Sequence, residues 1–184
     1  MTLKLTAGVA LVLIGGVLVA PRPTSGQEKA EVKGGVDAKT AFKQIKTLAG
    51  TWKTQAMGEH QDHHKGESKV IYKLTGAGSA LVETQFPGEA HEMVSVYHLD
   101  GDDLRMTHYC AIGNQPRVKL DRAKSTPDHL IFVFDGGTNL DPLKDHHIHG
   151  VTITFLKDGK VDSTWEGYDE GKSAGATTFT LSRK

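Results

Sequence analysis

Cysteine is nearly absent: Cys110 is the only one in 184 residues. An internal disulfide and any multi-cysteine zinc or iron–sulfur site are thereby excluded. Neither charge is in excess, with Lys and Arg totalling 22 and Asp and Glu 22. A basic nucleic-acid binder would show a strong surplus of Lys and Arg, so no nucleic-acid partner is expected. An apolar fraction of 38% is also too high for a mainly disordered chain. No segment recurs with a period of roughly 20–50 residues, which argues against a propeller. The Gly-x-Ser-x-Gly elbow, the phosphate loop and the His-Glu-x-x-His pair are all missing. Glycine, by contrast, is plentiful at 21 residues and suits a chain that turns often.

Long apolar runs are lacking except for one, Leu5 to Ala20, which follows Lys4 and ends at Pro21-Arg22-Pro23. A basic start, an apolar stretch and then small residues form the pattern of a secretory signal peptide. Pro21 suits signal peptidase poorly as a first residue, whereas Thr24-Ser25-Gly26 offers small side chains, so residues 1–26 are assigned to the signal. The run is shorter than the roughly 20 residues that span a bilayer, and no stable membrane anchor is expected after cleavage. Removal takes Lys4 and Arg22 and no acid, leaving 20 basic and 22 acidic side chains and all ten histidines. Residues 27–36 are polar, carry Gly34-Gly35, and read as a flexible linker. A secreted or periplasmic domain over residues 37–184 is expected.

Asp37 is a good N-cap, and Ala38, Ala41, Phe42, Ile45, Leu48 and Ala49 follow at helical spacing, with Gly50 placed as a C′ residue. Beyond Gly50 the pattern changes to short runs rich in Val, Ile, Thr, Tyr and Phe, separated by turn residues. About ten strands are expected: 51–57, 69–74, 80–86, 92–99, 104–110, 117–122, 129–134, 147–156, 161–166 and 177–183. Pro87-Gly88 suits a type II turn, Asp100-Gly101 and Asp158-Gly159 suit hairpins, and Gly136-Gly137 reads as a break. Connections this short favour antiparallel neighbours in an up-and-down meander, and ten such strands split into two sheets or close into a barrel.

Register is legible at one hairpin. A three-residue loop with Gly159 in a bulge sets Val151, Ile153 and Phe155 beside Trp165, Ser163 and Val161, gathering apolar side chains on one face. His147 and His149 then continue that inward face toward a rim. At Asp100-Gly101 the choice stays open. Leu104, Met106, His108 and Cys110 share a face, and their partners are either Glu92, Val94 and Val96 or Met93, Ser95 and Tyr97.

The segment Leu48-Ala49-Gly50-Thr51-Trp52, a Gly-x-Trp after a short helix, followed by about ten strands and Arg183 near the end, resembles the lipocalin-like (calycin) barrels. The resemblance implies an all-β, ten-stranded antiparallel barrel preceded by one helix, with Arg183 packed on Trp52 at the closed end beside Gly50. The run from Glu92 to Gly101, continued by Thr107-His108-Tyr109-Cys110 and Gly113-Asn114-Gln115-Pro116, is similar to exported bacterial lipocalin-like proteins of unknown function. That similarity implies a fold and no activity.

Several residues could carry chemistry. His108 and Cys110 on one strand, and His147 and His149 on another, offer nitrogen and sulfur ligands for zinc, copper or haem if the barrel brings them together. The preferred reading of both pairs is as polar cavity residues held by hydrogen bonds. His60, His63 and His64 form a second cluster in a loop with the composition of a solvated turn. Glu83 would be an acid or base if lumenal, alone or with His108. Alternation instead favours Val82, Thr84 and Phe86 as the inner residues of its strand. The leading expectation is a carrier or sensor of a small apolar or amphipathic ligand, without a cofactor. It would be bound by Leu104, Met106, His108, Cys110, His149, Ile153, Phe155, Trp165 and Glu83. The alternative is a metal- or haem-binding barrel using His108, His147 and His149.

Overall fold

A computed structural model describes residues 35–58 and 68–183. The expected signal, most of the linker and the histidines at 60, 63 and 64 lie outside the described residues. Helix α1 (Ala38–Lys46) is followed by β1 (Gly50–Gly58), β2 (Ser68–Thr75), β3 (Ala80–Gln85), β4 (Met93–Asp100) and β5 (Asp103–Tyr109). Then come β6 (Gln115–Leu120), β7 (His129–Thr138), β8 (His147–Phe155), β9 (Val161–Asp169) and β10 (Lys172–Arg183). Every strand pairs antiparallel with its neighbours in sequence, and β1 pairs with β10, closing a ten-stranded up-and-down barrel. Closure satisfies both edges that an open sheet would leave bare.

The helix forms where its cap allows. Asp37 Oδ1 accepts from the Lys39 and Thr40 N–H groups, each at 3.0 Å, and Ala38, Ala41, Phe42 and Ile45 turn one apolar stripe inward. Removing the cap in Asp37→Ala is expected to cost about 1 kcal/mol, read from the urea midpoint. Val36, just before the cap, is buried too, and its N–H donates to Arg122 O at 3.1 Å.

Gly50 is not the helix C′ residue. The helix ends at Thr47, and Gly50 opens β1 at φ 133°. A Cβ there would stand 3.2 Å from Arg183 Nη1. Trp52 pairs with Arg183 across β1 and β10, and the guanidinium lies 4.6 Å from the indole ring centre. Arg183 Nη2 donates to Thr47 O at 2.8 Å and Trp52 Nε1 to Leu48 O at 2.7 Å. One cation thus neutralises carbonyls at the helix end while covering the indole that closes the barrel base.

The turns follow their residues. Gly88 takes φ 82° and Glu89 N–H closes on Phe86 O at 3.0 Å, as a type II turn at Pro87-Gly88 requires. Phe155 pairs with Val161, Ile153 with Ser163 and Val151 with Trp165, the register expected from burial. Between β4 and β5, Asp100 pairs with Asp103, so the two-residue turn is Gly101-Asp102, and Met93, Ser95 and Tyr97 take the face of His108 and Met106. Gly136-Gly137 does not end β7. The strand runs through them, because β6 approaches so closely that a Cβ on Gly137 would lie 3.1 Å from Pro116 Cα.

Candidate functional site

Strand β3 corrects the expected alternation. Leu81, Glu83 and Gln85 point into the barrel, while Val82 and Thr84 lie opposite Val96 and Val94 of β4 on the outer wall. Glu83 is 1% exposed. Tyr72, Glu83, Ser95 and His108 face one another in a row across β2, β3, β4 and β5.

Glu83 accepts from three side chains. Tyr97 donates its hydroxyl to Oε2 at 2.7 Å, Gln85 its amide to Oε1 at 2.9 Å, and Tyr72 also donates to the carboxylate. Burial raises the Glu83 pKa, and these three hydrogen bonds pull it back only in part. Desolvation first, and the neighbouring carboxylate second, push both tyrosines well above the ordinary phenol value.

His108 takes a different partner. Its Nδ1 is 2.9 Å from Ser95 Oγ, and its ring lies 5.0 Å from that of Trp165 on β9, across the lumen. Trp165 Nε1 donates to Ser163 Oγ at 2.8 Å. Ser95 therefore stands between Glu83 and His108, and no direct proton-transfer pair forms. Burial lowers the His108 pKa to about 4. The unfolded imidazole, at about 6.5, takes its proton first as pH falls. The resulting stability is complete above that value and is lost progressively down to about pH 4, roughly 3 kcal/mol in all. Urea midpoints between pH 7 and pH 4 are expected to fall less steeply in His108→Gln than in the wild type, and parallel curves would contradict this.

A void of about 10 Å³ lies among Thr54, Glu83, Gln85, Phe86, Trp165 and Phe179, room for about one water molecule. The Thr54 hydroxyl is buried and finds no partner among the described residues. Phe86 covers the void from the β3–β4 connection, its ring 6.0 Å from Phe179 and 4.6 Å from His91. It holds φ 54°, a strained backbone setting for a bulky side chain.

The other expected site residues divide. Leu104, Met106, Ile153 and Trp165 are buried in the lumen. Phe155 is half-buried near Arg183 at the base. Cys110 lies past the end of β5, half-buried, with Sγ 3.9 Å from Met93 Sδ. His147 and His149 join each other, Nε2 to Nδ1 at 3.0 Å, whereas His108 bonds to Ser95 instead. Beside a bulge between Ile148 and Gly150, the His149 ring stacks between Tyr168, 3.7 Å away, and Phe134, 4.6 Å away. Among the described residues no three His, Cys, Asp or Glu side chains gather as a metal site would need. Tyr72, Tyr97, Gln85 and Thr54 escape sequence reasoning, because their role depends on pairing across strands. The signal available was the second Asp100-Gly101 register, which brings Tyr97 inward.

No family model and no curated protein sequence matches the chain.

Proposed function

We propose that this chain is an exported, lipocalin-like barrel that binds a small molecule in its upper lumen, with Glu83 as the anchoring group. The observation that carries the reading is the carboxylate itself: a group held dry at 1% exposure, beside an orphan hydroxyl and a void. A barrel serving only as a scaffold would be more stable with apolar side chains there, since burying an ion costs several kcal/mol. The closed barrel, its leading helix and Arg183 over Trp52 support the lipocalin-like assignment. The composition of residues 1–26 supports export.

The ligand is small or enters as Phe86 swings away, because the void beside Glu83 among the described residues has room for about one water. It presents a hydrogen-bond donor to Glu83 and an apolar surface to Trp165 and Phe179. Native mass spectrometry of protein isolated from the exported fraction tests this. A bound molecule of fixed mass is expected on the wild type and is expected to be lost or weakened in Glu83→Gln. Protein free of any adduct that also takes up none from a periplasmic extract, in both the wild type and Phe86→Ala, would refute the reading.

A further inference from the structure

The wall of the void beside Glu83 carries unspent hydrogen-bonding capacity. Every residue that lines the void is buried, so all of them share the lumen. Thr54 is 3% exposed, and its hydroxyl finds no partner among the described residues. Ser163 is 2% exposed. Its oxygen accepts from Trp165 Nε1 at 2.8 Å, and its own proton meets no acceptor among the described residues. An ionised carboxylate offers about four lone-pair directions, and Tyr72, Tyr97 and Gln85 take three at Glu83. One direction is left. Val70, Phe86, Phe179 and Leu181 make much of the remaining wall apolar.

A space of about 10 Å³ admits about one polar atom, which then has these groups as its neighbours. Such an atom must give a proton to Glu83 and offer lone pairs to Thr54 and Ser163. A hydroxyl does both, with one donor and two acceptor sites. A carbonyl has no proton for Glu83. An ammonium has no lone pair, so the hydroxyl protons of Thr54 and Ser163 would stay unpaired. Its desolvation among apolar side chains also offsets much of its attraction to the carboxylate. A second carboxylate is repelled by Glu83.

We propose that the lumen selects a neutral alcohol, its hydroxyl in the void between Thr54, Ser163 and Glu83 and its apolar body in the place of the Phe86 ring. That ring lies 6.0 Å from Phe179, so a body of similar size keeps an aromatic neighbour. Phe86 holds φ 54°, and its departure relieves a strained backbone. This selectivity, which rests on the lumen being the binding site, has a signature in the empty protein: an unpaired buried hydroxyl at Thr54 that lowers stability.

Benzyl alcohol, benzylamine and toluene share one shape and differ in the head group, and benzylamine is charged at neutral pH. In ¹⁵N-labelled full-length protein, benzyl alcohol at millimolar concentration is expected to shift the amide signals of Thr54, Glu83 and Ser163. The signal of Gly159, at the base, is expected to stay in place. Benzylamine and toluene are expected to bind about tenfold more weakly. Thr54→Val is expected to weaken benzyl alcohol about tenfold, leave toluene unchanged and raise the urea midpoint of the empty protein. Phe86→Ala is expected to bind benzyl alcohol more tightly than the wild type. Equal or tighter binding of benzylamine or toluene, or full alcohol affinity in Thr54→Val, would overturn the alcohol class and leave the lumen as the binding site. No lumenal shift from any probe, in the wild type and in Phe86→Ala, would also overturn it. The lumenal reading is then decided separately, by whether the isolated wild type carries an adduct that Glu83→Gln lacks.

Discussion

Trp52→Ala is expected to lower the unfolding free energy by about 3–5 kcal/mol, as truncation of a large buried aromatic side chain does. Three losses coincide. The indole is 3% exposed, so its removal leaves a cavity at the base of the barrel. Leu48 O loses the Nε1 donor at 2.7 Å. Arg183 loses the ring 4.6 Å beneath its guanidinium, so its hold on Thr47 O through a 2.8 Å hydrogen bond is weakened. Gly50→Ala is expected to damage the same junction more mildly, because its Cβ would crowd Arg183 Nη1 and force a residue with a side chain to adopt φ 133°. Urea denaturation compares the two. A loss below about 1 kcal/mol in Trp52→Ala would mean that the base does not rely on this stopper.

Glu83→Ala is expected to cost about 4 kcal/mol. Three buried donors, from Tyr72, Tyr97 and Gln85, lose their acceptor. At about 1–3 kcal/mol for each unsatisfied group, the sum is offset in part by removal of a desolvated carboxylate. Tyr97→Phe is expected to cost only about 1 kcal/mol, since the carboxylate keeps two donors. The ordering of these two variants in urea is the check. A more stable Glu83→Ala would show that the carboxylate is a net burden that its donors do not offset.

The architecture was legible in the sequence where each local choice had consequences for burial. At Asp158-Gly159 one register joined Ile153 to Ser163 and Val151 to Trp165 while the other scattered the apolar side chains, and the barrel adopts the first. Asp37 and the helical stripe were legible for the same reason, since cap and periodicity agree. Strand β3 was misleading because it inverts the usual pattern. Its β-branched residues, Val82 and Thr84, pair on the outer wall with Val96 and Val94, and its polar residues go inward to tyrosines on the flanking strands. Nothing within β3 reveals that Tyr72 and Tyr97 will be there. Gly136-Gly137 looked like a break because the close approach of β6 that requires it is nonlocal.

The account rests on a dry carboxyl group inside the barrel, and the titration of Glu83 measures it directly. In protein carrying ¹³C at the glutamate side-chain carboxyls, the Glu83 signal is expected to titrate above the ordinary glutamate value. The midpoint is expected to rise further in Tyr97→Phe, which removes one of the hydrogen bonds holding it down. A Glu83 midpoint at or below the ordinary value, unmoved by that substitution, would contradict the account, for it would describe a carboxylate in water.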